Sequence, residues 1–355
     1  MNGVHAWLAF TPLLYAGYAM RRGGRDHALW VTTVLAVGAL AAAGGLLQLA
    51  FGLDVLNPAD TGGLLLKVLH SSDVAVIPRP NSVFMHAGRL SGVLLAALWI
   101  APAAGTWTRP DRAGRQRLVA GATAIILTGL VFSGQRASFV CLAAGLLLAV
   151  TAIARPLRQA GRRVWLRLSL GAVTVLLLVG VGSLVLNDAA LRLYSELFSS
   201  ARLEHVLRDL EYTATGIRYA LETTLWGHGT GAASTGRAYA LQVPWNDPAV
   251  MPLEGGTGVL LWEWGLAGPI LWCWLAWTVA RELWSRARHA QDLSTAGICA
   301  GALAAAVTGT ALWFHLSAAA YQSYSLQALL WLTVGSALAA GDSRRAQTPR
   351  SGTAG

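Results

Sequence analysis

Apolar residues fall in long unbroken blocks along this chain, without the regular polar interruptions of an amphipathic helix. Runs long enough to cross a bilayer occupy about 4–20, 28–51, 83–104, 118–133, 137–154, 168–186, 258–280, 294–314 and 318–340. The pattern predicts an all-α, polytopic membrane protein with about nine transmembrane helices, the fourth and fifth being the shortest. Residues 1–340 form one transmembrane domain on this reading, and 341–355 a disordered cytoplasmic tail. Two stretches leave the apolar pattern. The first, 52–82, contains GGLLLKVLH, too short to span and expected to lie at the interface. The second, 187–257, is a large polar loop. Within it Leu191, Tyr194, Leu197 and Phe198, then Leu203, Val206, Leu207 and Leu210, recur at helical spacing, as two amphipathic helices would require. A third helix, about 213–226, carries Ile217, Leu221 and Leu225 on one face and Arg218 with Glu222 on another, and Gly227 is placed to stop it. PWNDP at 244–248 reads as a proline-bracketed loop.

Composition agrees with the pattern: 55% of the 355 residues are hydrophobic and 12% charged, with a mean hydropathy of +0.50. Charge then sets the orientation, because cytoplasmic loops carry the excess of basic residues. Assigning 21–27, 105–117, 155–167, 281–292 and 341–355 to the cytoplasm collects 18 of the 27 basic residues against five acids. The net charge of +10 is therefore a signature of topology, and nucleic acid is not an expected partner. The N-terminus falls outside, since Arg21, Arg22 and Arg25 follow the first run and no basic residue precedes it. A cleaved signal peptide would carry its charge first. Cys141, Cys273 and Cys299 sit in predicted spans without metal-ligand spacing, so neither a disulfide framework nor a metal site is expected.

Ionisable groups inside the apolar runs carry the chemistry. A charge near the centre of a spanning helix costs about 2.5–3.5 kcal/mol on insertion scales, so such residues face a bundle interior or mark a site. Arg89 lies one turn into the third run, Arg136 at the break between the fourth and fifth, Glu263 in the outer half of the seventh and His315 at the outer end of the eighth. All four belong to the outward half, which argues for a site that opens outward over a path for ions across the membrane. Each also has an ordinary role available. Arg136 can snorkel to headgroups, Arg89 can pair with Glu263, and Arg218 with Glu222 can be a surface pair four residues apart. His228 can be a loop residue, and the GHGTG turn around it can either offer backbone amides to a phosphate or simply turn the chain. Most of the 15 Trp residues suit interface anchoring and packing.

Four segments, in order, resemble the O-antigen ligase and polymerase family of bacterial envelope glycosyltransferases. RPNSVFMHAGRLSGVLLAALW (79–99) looks like its Pro-Asn segment opening a span, and FSGQRASFVCLAAGLLL (132–148) like its Ser-Arg break. GIRYALETTLWGHGTGA (216–232) is similar to its arginine-bearing outer helix and glycine turn, and EGGTGVLLWEWGLAG (254–268) to the segment entering the next span. Where ligases of the family carry a His-Asn pair, this chain has Glu254, Gly255 and Gly256, which points to a polymerase-like member. The resemblance implies an enzyme of the bacterial inner membrane with its active site facing the periplasm. It would transfer a polyprenyl-diphosphate-linked glycan to a glycan acceptor, without metal, nucleotide sugar or other cofactor, and leaves room for a chain-length regulator as partner. Arg136 and Arg218, with Arg89 and Arg237, would hold the diphosphate. Glu254 would be the first candidate for the acceptor-activating base and His228 the second, while Glu222 and Glu263 complete the set of site candidates. The competing class is a transporter, flippase or assembly factor of polysaccharide export, in which intramembrane charges would line a path. The nearly apolar inner half speaks against it.

Overall fold

The fold was analysed in a computed structural model that describes residues 12–23, 25–52, 55–56, 68–70, 76–78, 80, 82–84, 87–104, 112–133, 136–159, 214, 217–218, 221–222, 225–229, 256–313 and 324–345. These are helical almost throughout, as the apolar blocks require. The helices are α1 (Leu13–Gly23), α2 (Arg25–Phe51), α3 (Ala87–Ala104), α4 (Arg112–Phe132), α5 (Arg136–Gln159), α6 (Gly256–Trp264), α7 (Ala267–His289), α8 (Leu293–Ala306) and α9 (Tyr324–Arg345). One antiparallel ribbon interrupts the pattern. Val68–His70 (β1) pairs with Val76–Pro78 (β2), so the end of GGLLLKVLH is strand.

Two helices form the centre. α3 packs against α2, α4, α8 and α9, and α8 against α3, α5, α7 and α9. From Ala296 to Ala306, α8 buries nearly every residue, most of them alanine or glycine. Small side chains let backbones approach closely, which is how helices associate where hydrocarbon surrounds them. A Cβ on Gly301 would lie 2.4 Å from the Trp99 carbonyl oxygen, and one on Gly129 would lie 2.6 Å from the Ala42 side chain.

Pairwise contacts fix the direction of each helix. Gln48 of α2 meets Ser82 just ahead of α3, Ser91 of α3 meets Ser133 at the end of α4, and Cys141 of α5 meets Thr308 beyond α8. Pro102 lies against Gly297, Cys299 against Ala337, and Arg286 donates to the Leu338 carbonyl. Hence α3, α5, α7 and α9 run one way, and α2, α4 and α8 the other. The basic loops consequently share one end of the bundle. Arg117, Arg155, Arg158, Arg281, Arg286, Arg288 and His289 all occur in the turns of α4, α5 and α7 at that end. Arg21 belongs there too: burial lowers its pKa below the ordinary guanidinium value, with Cys299 and Asp292 close enough to oppose the shift.

By length and composition, Leu29–Phe51 and Leu293–Thr310 suffice to cross a membrane, and four shorter apolar stretches lie at Gly88–Ala104, Gln116–Phe132, Val140–Pro156 and Gln327–Ala340. Two expected spans differ from the sequence pattern. The seventh, 258–280, breaks at Gly265 into the nine-residue α6 and the long α7. The eighth passes from α-helix into a π-helix over Val307–Trp313. The expected sixth span and the helices at 191–210 lie outside the described residues, and of the tail expected to be disordered over 341–355 the first five residues are the end of α9, the remainder lying outside the described residues.

Candidate functional site

The end of the bundle opposite the basic loops gathers most of the candidate residues. Arg89 is the third residue of α3 and half-buried, and Arg136 is the first residue of α5. Both helix starts are held by buried polar contacts. Gln48 Nε2 donates to the Ser82 carbonyl oxygen (3.2 Å), and the Ser82 amide donates back to Gln48 Oε1 (2.7 Å). Ser82 has a left-handed φ of +53°, so this double contact holds a turn that its own side chain disfavours. The Ser91 hydroxyl donates to Ser133 Oγ (2.9 Å), which donates to the Leu130 carbonyl oxygen (2.7 Å), tying α3 beside Arg89 to the break before Arg136.

The 225–229 turn forms the other half of the site. A helix leaves its last four carbonyls without intrahelical donors, and for α6 these are Leu261 to Trp264. Gly265, at φ +59°, closes the helix by donating to the Leu261 carbonyl (2.9 Å). The next two carbonyls are taken by the turn: His228 N–H donates to Trp262 O (2.7 Å) and Gly229 N–H to Glu263 O (3.0 Å). In return Leu266 N–H donates to Leu225 O (3.0 Å). The imidazole of His228 stacks on the Trp262 indole, with ring centroids 4.0 Å apart and planes inclined by 34°. Glycine is obligatory where the strands of backbone cross. A Cβ on Gly265 would lie 2.0 Å from Leu225 O, and one on Gly227, at φ +83°, would lie 2.5 Å from Glu263 O.

This arrangement decides between the two roles open to the turn. The amides of His228 and Gly229 face carbonyl oxygens at the negative end of α6, so this part of GHGTG is not a phosphate cradle. Its work is mechanical, clasping the preceding helix to the break between α6 and α7. Helix is present at 214, 217–218 and 221–222, but Leu225 and Trp226 are already a bend, so that helix stops short of Gly227, whose φ of +83° belongs to the turn that follows. Arg218 Nε lies 3.8 Å from Glu222 Oε1, with both side chains mostly exposed (74% and 65%), an i,i+4 contact worth about 0.3–0.5 kcal/mol at most. A pair so weakly held leaves Arg218 able to take another anion. The expected apolar face of this helix is only partly covered, for Leu221 and Leu225 are exposed and Trp226 is 89% exposed.

Glu263 is buried, 3% exposed, and shares its stretch of α6 with the clasp. His228 and Glu263 are thus brought together by backbone, and Arg218 and Glu222 are carried on the clasped arm. Glu254, Arg237 and His315 lie outside the described residues, as does the Arg136 side chain. Gln48, Ser91 and Ser133 were not singled out by sequence, and Trp262 only as one of the Trp residues suited to anchoring and packing. Of these Gln48 had a signal, being the one amide inside the apolar run 28–51 that proves to be buried. Among the described residues no cluster of three metal-ligating side chains occurs. No protein-family model matches the chain, and no curated protein or solved structure shows significant similarity to it.

Proposed function

We propose that this chain is a multi-pass enzyme of the bacterial inner membrane, with about nine spans, that polymerises or ligates glycans at the periplasmic face. The donor is a polyprenyl-diphosphate-linked oligosaccharide and the acceptor a second glycan. One observation supports the reading above others: the arginine-bearing helix is clasped by its glycine turn to the break at Gly265, at the end of the bundle remote from the basic loops. The arm and that helix break are two of the four segments whose sequences resemble the ligase and polymerase family.

The chemistry follows from the residue types. Attack by an acceptor hydroxyl on the anomeric carbon breaks the bond to the diphosphate, and negative charge grows on the leaving group. Arg136 and Arg218, assisted by Arg89 and Arg237, are the groups that would stabilise it, since a guanidinium offers fixed charge and two parallel donors. Glu254 would take the hydroxyl proton, and the glycines that follow it would let acceptor and backbone approach.

The test is genetic and chemical together. Arg136→Ala and Arg218→Ala should each abolish surface glycan and accumulate lipid-linked donor while the protein stays inserted, and Lys at either position should rescue poorly. Glu254→Gln should slow transfer on the order of a hundredfold or more. Full product in either alanine variant removes that arginine from the site. Wild-type transfer by Glu254→Gln together with loss in His228→Ala would move the base to His228.

A further inference from the structure

Trp226 is the most exposed large hydrophobic side chain among the described residues, at 89%. A single exposed apolar residue on a slack loop would mean little, but this one is held. The Leu225 carbonyl accepts from Leu266 N–H (3.0 Å), and the amides of His228 and Gly229 donate to the Trp262 and Glu263 carbonyls (2.7 and 3.0 Å). Trp226 thus stands between backbone anchors one residue before it and two after. A large ring with few torsions on a pinned turn binds a partner without first having to be ordered. The neighbouring side chains decide what that partner is. At about 100° per residue, Arg218 projects between Leu221 and Glu222 around the arm, and all three are exposed. A helix seated in a bilayer keeps its charges away from its apolar side, whereas this one interleaves them. His228, two residues beyond Trp226, lays one ring face on the Trp262 indole and is itself exposed to water. The indole of Trp226 is therefore presented beside a carboxylate, a guanidinium and an imidazole, on an arm facing solvent.

We propose that Trp226 is a stacking platform for a pyranose unit of the acceptor glycan, with Glu222 and His228 as its hydrogen-bonding neighbours. A pyranose ring is amphipathic in the same sense as this surface. Its C–H bonds form an apolar patch on one face, which packs on the negative face of an indole, and its rim of hydroxyls both donates and accepts. A carboxylate accepts from such hydroxyls, and a neutral imidazole does either. The inference rests on the glycan reading above and deepens it. In that reading arginines hold the donor by its diphosphate, so the acceptor is the glycan that needs a contact of its own, and the arm that carries Arg218 also carries that contact.

The experiment uses the full chain in lipid nanodiscs and reads binding in the absence of donor, so that transfer is not needed. The probe is the oligosaccharide mixture released by mild acid from the surface polysaccharide of cells that make the protein, titrated by saturation-transfer NMR. The wild type should bind it saturably, with the ring C–H protons receiving most of the saturation. Trp226→Ala should raise the half-saturating concentration on the order of tenfold, the scale of one lost ring contact. Trp226→Tyr keeps an aromatic face and should stay within about threefold of wild type, while Trp226→Leu keeps only apolar bulk and should bind as poorly as Ala. The Tyr and Leu variants, compared with each other, keep the test valid whatever Ala does to the turn. Binding by Trp226→Ala or Trp226→Leu equal to wild type overturns the proposal, as does a wild type that shows no saturable binding. A spin label at position 226 shielded from an aqueous relaxation agent also overturns it, since that marks a bilayer anchor. Cells lacking the protein test the glycan reading separately. Accumulated lipid-linked donor there, with unimpaired binding by Trp226→Ala, removes the platform and leaves that reading; no accumulation removes both.

Discussion

Gly265 and Gly229 both hold positive φ angles, yet they do different work, and the difference is measurable. Gly229, at φ +90°, has nothing within 4 Å of where a Cβ would stand, so Gly229→Ala should cost only the strain of an unfavourable backbone region, about 1 kcal/mol. Gly265→Ala adds a collision with the Leu225 carbonyl oxygen at 2.0 Å, which only separation of the clasp can relieve. Its loss should therefore reach about 3 kcal/mol or more, since strain and broken backbone hydrogen bonds act together. Thermal unfolding of the two variants in the same detergent decides the matter. Equal melting temperatures would mean that the clasp contributes nothing to stability. At this scale the sequence was legible in part: glycine after a helical stretch marked the turn, but whether its amides face a ligand or another helix depends on a partner far along the chain, Trp262 for His228 or Glu263 for Gly229, and no local pattern carries that.

The helices themselves were largely visible, because a long apolar block has few alternatives to helix, and α2 through α5, α8 and α9 fall largely where the blocks do. What hydropathy could not register is where a block stops being one continuous helix. α6 and α7 read as one span because Gly265 is flanked by Trp264 and Leu266, apolar on both sides. The π-helix is equally silent in hydropathy. There Trp272 Nε1 donates to the Thr310 carbonyl (3.0 Å) and the Cys141 thiol lies 3.9 Å from the Thr308 carbonyl, so neighbouring helices supply partners that an α-helix would find internally. Gln48 teaches the same lesson at an element's end. Gln48→Met preserves length and removes both contacts to Ser82, leaving a buried amide and carbonyl without their partners. A loss of about 1–3 kcal/mol in thermal stability should follow, with Gln48→Asn no better because its amide is one methylene short. If Gln48→Met melts with the wild type, the double contact is not what holds the turn before α3.

At the scale of the whole molecule, charge and packing were read independently and meet in one place. The loops whose arginines place them in the cytoplasm are those at one end of α4, α5, α7 and α8, and the helix contacts carry these to a common end of the bundle. The arm with Arg218, Glu222 and Trp226 joins the bundle through Gly265 and Leu266, at the start of α7 and therefore at the other end. Which end faces outward is a question of insertion, decided by the basic residues. In a variant whose Cys141, Cys273 and Cys299 have been replaced, single cysteines at 222 and 226 should react with a membrane-impermeant thiol reagent in intact cells. Those at 158 and 288 should react only after the membrane is opened. Residues 222, 226, 158 and 288 are all solvent-exposed in the fold, so burial cannot mask the comparison. The reverse pattern would invert the protein and remove the periplasmic site. Labelling of all four in intact cells would deny that a bilayer separates the two ends, and with it the multi-pass reading on which the glycosyltransferase proposal depends.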